Sequence, residues 1–205
     1  MVSVKLYVEG AGQTDFERAQ CREAFSTFFA AVDGLAGKRP RTKPCGGRQA
    51  AYDAFVIALK TSRQGELPLL LVDSEGPVTP GETVWQHLKT RDGWDRPDGA
   101  ADDDAFFMAQ VMETWFLADK EMLRNYFGQD FNEKHIRQWP SLEAVPKLTV
   151  YEVLEKTTAA CKKKSYTKGT ISFEMLKRLN PTKVENACPH AKKLLDRLRN
   201  PNRKR

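Results

Sequence analysis

Residues 4–8 alternate apolar and polar side chains of β-favouring type and then stop at Glu9, Gly10, Ala11 and Gly12, which predicts a strand closed by a glycine turn. Thr14 or Asp15 then stands where a helix cap is wanted. Phe16, Ala19, Ala24, Phe25, Phe28 and Phe29 follow at helical spacing, so the helix should run to about Val32. Residues 38–45 form a second extended stretch broken by Pro40 and Pro44, and Cys45, Gly46 and Gly47 lead into an alanine-rich helix over 48–62. Residues 67–72 are continuously apolar and end at Asp73, Ser74 and Glu75, the pattern of a strand buried on both faces. This alternation predicts an α/β fold with a mostly parallel central sheet flanked by helices.

From residue 76 to 104 the periodicity gives way to Pro, Gly and Asp, with one helical turn expected near residues 82–89; this reads as a loop insertion. Residues 105–112 read as another buried strand, and residues 113–127 as one helix. Residues 1–127 therefore form the expected α/β core. Residues 128–199 are expected to be a helical, basic extension packed on it, with short helices near 150–162, 172–179 and 190–199, and residues 200–205 a disordered tail.

Charge sharpens that division. The 205-residue chain carries a formal net charge of +6, yet residues 1–150 hold 18 Lys and Arg against 22 Asp and Glu, and residues 151–205 hold 15 against 5. An acidic part beside a basic part suits divalent cations in one and phosphates on the other, and equally suits a solvated charged helix. The four cysteines are far apart, without a C-x-x-C pair, and the three histidines lack ligand spacing, so zinc, thioredoxin-type and Ser-His-Asp chemistry are not supported. A signal-peptide pattern and a membrane-length apolar run are both missing, and the expected location is cytoplasmic with no membrane partner.

In an open parallel sheet, ligands collect beyond the carboxyl ends of the strands. Glu9, Asp73, Glu75 and Glu113 all fall at such ends. Carboxylates gathered at one edge repel unless a cation lies between them, and Mg²⁺ or Mn²⁺ takes such oxygen ligands; singly, each could equally accept hydrogen bonds from turn amides or face solvent. Six aspartates lie within residues 92–104 without the ligand spacing of an EF-hand, and read as a solvated loop.

Val8-Glu9-Gly10, followed later by Leu71-Val72-Asp73-Ser74-Glu75, resembles the Toprim domain, with its strand-end Glu and later Asp-x-Asp pair. Together with Cys45-Gly46-Gly47-Arg48, the run from Met112 through Glu113 to Asp119, Lys147, and Tyr166-Thr167-Lys168-Gly169, the set resembles a bacterial Toprim-like family, domain of unknown function 4276. The resemblance implies a Toprim-like fold and Mg²⁺-dependent phosphodiester hydrolysis in DNA or RNA, as an effector nuclease in phage defence beside an ABC-type or related ATPase partner. It implies catalytic roles for Glu9, Asp73, Glu75, Lys147 and Lys168, with Glu9, Asp73 and Glu75 as metal ligands. Glu113 joins the ligands from its strand-end position and motif. Glu75 departs from the Asp usual there, which leaves room for a noncatalytic regulatory or binding subunit. Arg48, Lys162, Lys163, Lys164 and Lys168 are the expected nucleic-acid contacts. A topoisomerase or primase is disfavoured, because 205 residues leave no room for the accompanying modules.

Overall fold

A computed structural model describes residues 2–12, 14–161 and 165–202. Four strands, β1 (Ser3–Val8), β2 (Arg41–Pro44), β3 (Glu66–Asp73) and β4 (Ala105–Met108), form one all-parallel sheet in the order β2-β1-β3-β4. Nine helices flank it among the described residues: α1 (Asp15–Ala30), α2 (Arg48–Thr61), α3 (Val84–Asp92), α4 (Thr114–Leu117), α5 (Lys120–Phe127), α6 (Lys147–Thr158), α7 (Thr170–Leu176), α8 (Pro181–Ala187) and α9 (Pro189–Arg199).

The unbroken apolar run of β3 has a direct packing cause. Successive side chains point to opposite faces, so Leu67, Leu69 and Leu71 join α1 and the later helices in one buried cluster, while Leu70 and Val72 join Phe55 of α2 and Trp85 and Leu88 of α3 in another. Helices on both faces leave no polar surface for this strand. The first cluster extends from Val4 of β1 to Leu198 of α9, so residues from both ends of the chain share one core.

Several local expectations change. Thr14 caps α1 through a capping box with Glu17, but Phe16 in the first turn is 69% exposed, Ala19 is exposed too, and the buried face of the helix begins at Cys21. The strand expected over 105–112 stops at Met108, and the helix expected over 113–127 is two helices. Asp119 divides them: its side chain accepts the Met122 N–H and so starts α5. The turn expected near 82–89 is the longer α3, and α8 was not visible in the apolar pattern because only Pro181 and Val184 of it are buried. Asn200 and Pro201 lend their carbonyls to Arg197. Among the described residues no helix is long and apolar enough to cross a membrane.

The order β2-β1-β3-β4 fixes where a site can form. The chain leaves β1 toward β2 on one side, then returns to β3 on the other, which opens a crevice at the carboxyl ends of β1 and β3.

Candidate metal centre

Glu9 follows the last residue of β1 and Asp73 ends β3, so the crevice carries a carboxylate on each side. Gly10 turns the chain away with φ +134°, a conformation side chains rarely adopt, and pairs both ways with Gly46. Two residues beyond Asp73, Glu75 has φ +64°, a left-handed conformation that costs a non-glycine residue roughly 1 kcal/mol or more. Its N–H donates to the Gln110 carbonyl at 2.8 Å, which anchors that turn to the segment beyond β4.

One carboxylate oxygen each from Glu9, Asp73 and Glu75 lies within 4.8 Å of the other two. All three residues are partly buried. Glu9 Oε2 accepts from the Asp73 N–H at 3.1 Å and from Arg48 Nη1 at 3.0 Å. Asp73 Oδ1 accepts the Met112 N–H at 3.0 Å. Lys147 Nζ donates to Glu75 Oε2 at 2.5 Å, and Arg91 lies 3.8 Å from the same oxygen. Among the described residues, Glu9 and Glu75 thus each meet a cation directly, and the Asp73 carboxylate forms no ion pair.

Electrostatics follow from that difference. Burial pushes the Glu9 carboxyl above its usual value, with Arg48 pulling against it. Burial pushes Asp73 much further up, and Glu9, Glu113 and Glu75 add repulsion that Lys168 offsets only in part. Concentrated negative charge on hard oxygen donors is the chemistry a divalent cation relieves, so the three side chains fit Mg²⁺ or Mn²⁺.

The other expected site residues divide. Glu113 is buried, 2% exposed, and is not among the three grouped oxygens; its Oε1 accepts from Tyr166 Oη at 3.1 Å and Ser172 Oγ at 3.2 Å. Arg48, expected as a nucleic-acid contact, turns inward. Besides Glu9 it donates to the Asp73 carbonyl and holds Asp92 in a bidentate pair, 2.9 and 2.7 Å. Lys147 starts α6, its N–H on Gln110 Oε1 at 3.1 Å, and its side chain enters the cluster. Lys168 is exposed and donates to Tyr151 Oη at 3.0 Å. Lys162, Lys163 and Lys164 lie outside the described residues.

A family model described as a domain of unknown function, DUF4276, matches residues 8–199. The chain belongs to this family. No curated protein and no solved structure matches it.

Within this DUF4276 chain three further residues belong to the centre. Tyr151 lies among Glu113, Lys147, Asp73 and Glu75, and its hydroxyl is held protonated by burial and then by the Glu113 charge. Asp92 ends α3, and Gly93 at φ +73° closes that helix, so the carboxylate reaches Arg48 from the supposed solvent loop. Against its burial, the Arg48 hydrogen bonds hold the Asp92 carboxyl low. Gln110 ties Glu75 and Lys147 together through its carbonyl and its side chain.

Proposed function

We propose that this chain is a Toprim-like, Mg²⁺- or Mn²⁺-dependent nuclease that hydrolyses phosphodiester bonds in DNA or RNA. The observation that carries the reading is the meeting of the Glu9, Asp73 and Glu75 oxygens within 4.8 Å at the crevice between β1 and β3. Those three residues would hold the cation, which when bound supplies Lewis-acid stabilisation of a phosphate oxygen and a readily ionised water.

The rest of the chemistry falls to this chain's own groups. Lys168, an exposed cation that donates to Tyr151 and whose charge reaches Asp73, supplies positive charge where a phosphate gains negative charge. Glu9 serves as a ligand, its Oε2 fixed by Arg48 and by the Asp73 N–H. Arg48 and Asp92 hold Glu9 in place, and Lys147 does the same for Glu75. The family resemblance extends the reading to an effector in bacterial phage defence with an ABC-type or related ATPase partner.

A second reading draws on the same cations. Because Arg48 and Lys147 already neutralise Glu9 and Glu75, the centre is partly self-compensated, as a noncatalytic regulatory subunit of an ATPase would permit. Cleavage of labelled DNA and RNA in Mg²⁺ and in EDTA decides between them. Cleavage that EDTA, Glu9→Gln and Asp73→Asn each abolish supports the nuclease. A folded chain that neither cleaves nor binds Mn²⁺ supports the regulatory subunit.

A further inference from the structure

The segment between β3 and β4 carries α3, and this helix meets the turn that bears Glu75 through two residues one helical turn apart, His87 and Arg91. Arg91 reaches the carboxylate, 3.8 Å from Oε2. His87 reaches the backbone instead: its Nε2 lies 3.0 Å from the carbonyl of Ser74, the residue between Asp73 and Glu75.

His87 is buried, so its ring nitrogens need partners within the protein. Nδ1 lies 3.2 Å from Glu82 Oε2, which also accepts the Thr79 N–H at 3.1 Å. Against its burial, that N–H and His87 hold the Glu82 carboxyl below its usual value, so it faces the ring as a carboxylate. A carbonyl and a carboxylate only accept, and both are satisfied when each ring nitrogen carries a proton. Phe107 of β4 packs edge-on against the imidazole, centroids 5.0 Å apart, and fixes its plane.

What the ring holds is a strained turn. Glu75 is left-handed, and its N–H and that of Ser74 both donate to carbonyls of the β4 side, Gln110 at 2.8 Å and Met108 at 3.3 Å. Those bonds fix the turn from one side. The Ser74 carbonyl, in a fully buried residue, is held from the α3 side by His87 Nε2. Removing that donor leaves a buried acceptor at the one residue that separates two of the grouped carboxylates.

We propose that His87 is a positioning residue for the metal centre: its Nε2–H holds the Ser74 carbonyl and so keeps the Glu75 carboxylate turned toward Glu9 and Asp73. The role rests on the reading of those three residues as a divalent-cation site. Two measurements test it. Nitrogen-15 NMR of the metal-free chain at neutral pH should show a proton on His87 Nε2, the ring signals being assigned by their loss in His87→Gln; a ring protonated on Nδ1 alone overturns the proposal, and this spectrum decides even where other variants fail to fold. Calorimetric titration with Mn²⁺ then compares variants. His87→Phe keeps an aromatic ring against Phe107 without a donor, and should bind Mn²⁺ about tenfold more weakly than the parent. His87→Gln, whose amide N–H takes the place of Nε2–H, should bind within about twofold of the parent. Parental affinity in His87→Phe, or a loss that His87→Gln shares in full, overturns the role of His87 alone. A parent that binds no Mn²⁺ overturns the metal reading and this role with it.

Discussion

Lys147 and Glu75 are 72 residues apart in sequence and 2.5 Å apart in space, Nζ to Oε2. The contact joins the first turn of α6 to the left-handed turn after β3, so a residue of the later helical region completes the charge balance of the sheet edge.

That balance makes Lys147→Met informative. Removing the ammonium leaves Glu75 with only the more distant Arg91, and the centre becomes more negative. Mn²⁺ affinity should rise, by about fivefold for roughly 1 kcal/mol of lost charge compensation. Calorimetry reads this directly; equal or weaker binding would show that Lys147 does not compete with the cation.

Asp73→Asn should stabilise the metal-free protein at neutral pH. The folded state raises this carboxyl, so across the window above its ordinary value of 3.8 the native state holds a proton the unfolded chain has lost. Stability therefore falls as pH rises through that window. The amide keeps an oxygen for the Met112 N–H but carries no charge. Thermal melts in EDTA should place the variant a few degrees above the parent at about pH 7, with the gap closing near pH 4. A variant that melts lower at pH 7 contradicts the electrostatic account.

Glu113 was expected among the ligands, and the structure gives it two hydroxyl donors instead. Tyr166→Phe removes one donor from a buried carboxylate and should cost about 1–3 kcal/mol in urea unfolding. Glu113→Gln should weaken Mn²⁺ binding far less than Asp73→Asn does. Equal losses in the two variants would return Glu113 to the metal shell.

The sheet was readable because its signals are local: the β3 run, the glycine turns and the capped α1 each follow from neighbouring residues. Strand ends made Glu9, Asp73 and Glu75 readable, and the motif resemblance added Lys147, whose side chain reaches Glu75. Tyr151 was missed because only the fold brings its hydroxyl to Lys168 and its ring among Glu113, Lys147 and Asp73. Asp92 looked like one aspartate of a solvated loop. Only the fold brings it to Arg48, 44 residues away. Phe16 fits the helical period, yet the first turn of α1 projects past the core.

Asp119 tests the junction of α4 and α5. Against its burial, Lys183 and the N–H groups of Asn180 and Met122 hold its carboxyl below the ordinary 3.8. A depressed folded value contributes stability that is full above the unfolded value and lost as pH falls through the folded one. Asp119→Ala should cost about 2 kcal/mol at neutral pH, and the difference from the parent should shrink below about pH 4. Urea titrations at several pH values would measure it; a gap that stays constant into acid would assign the loss to packing rather than charge.

The central claim is that Glu9, Asp73 and Glu75 together hold a divalent cation. An anomalous-difference map from a crystal soaked in Mn²⁺ tests it most directly. The account predicts a peak bonded to oxygens of all three residues and absent from Asp73→Asn crystals soaked in the same way. A peak that avoids Asp73, or an empty crevice at millimolar Mn²⁺ with Arg48 and Lys147 still on their carboxylates, would contradict it.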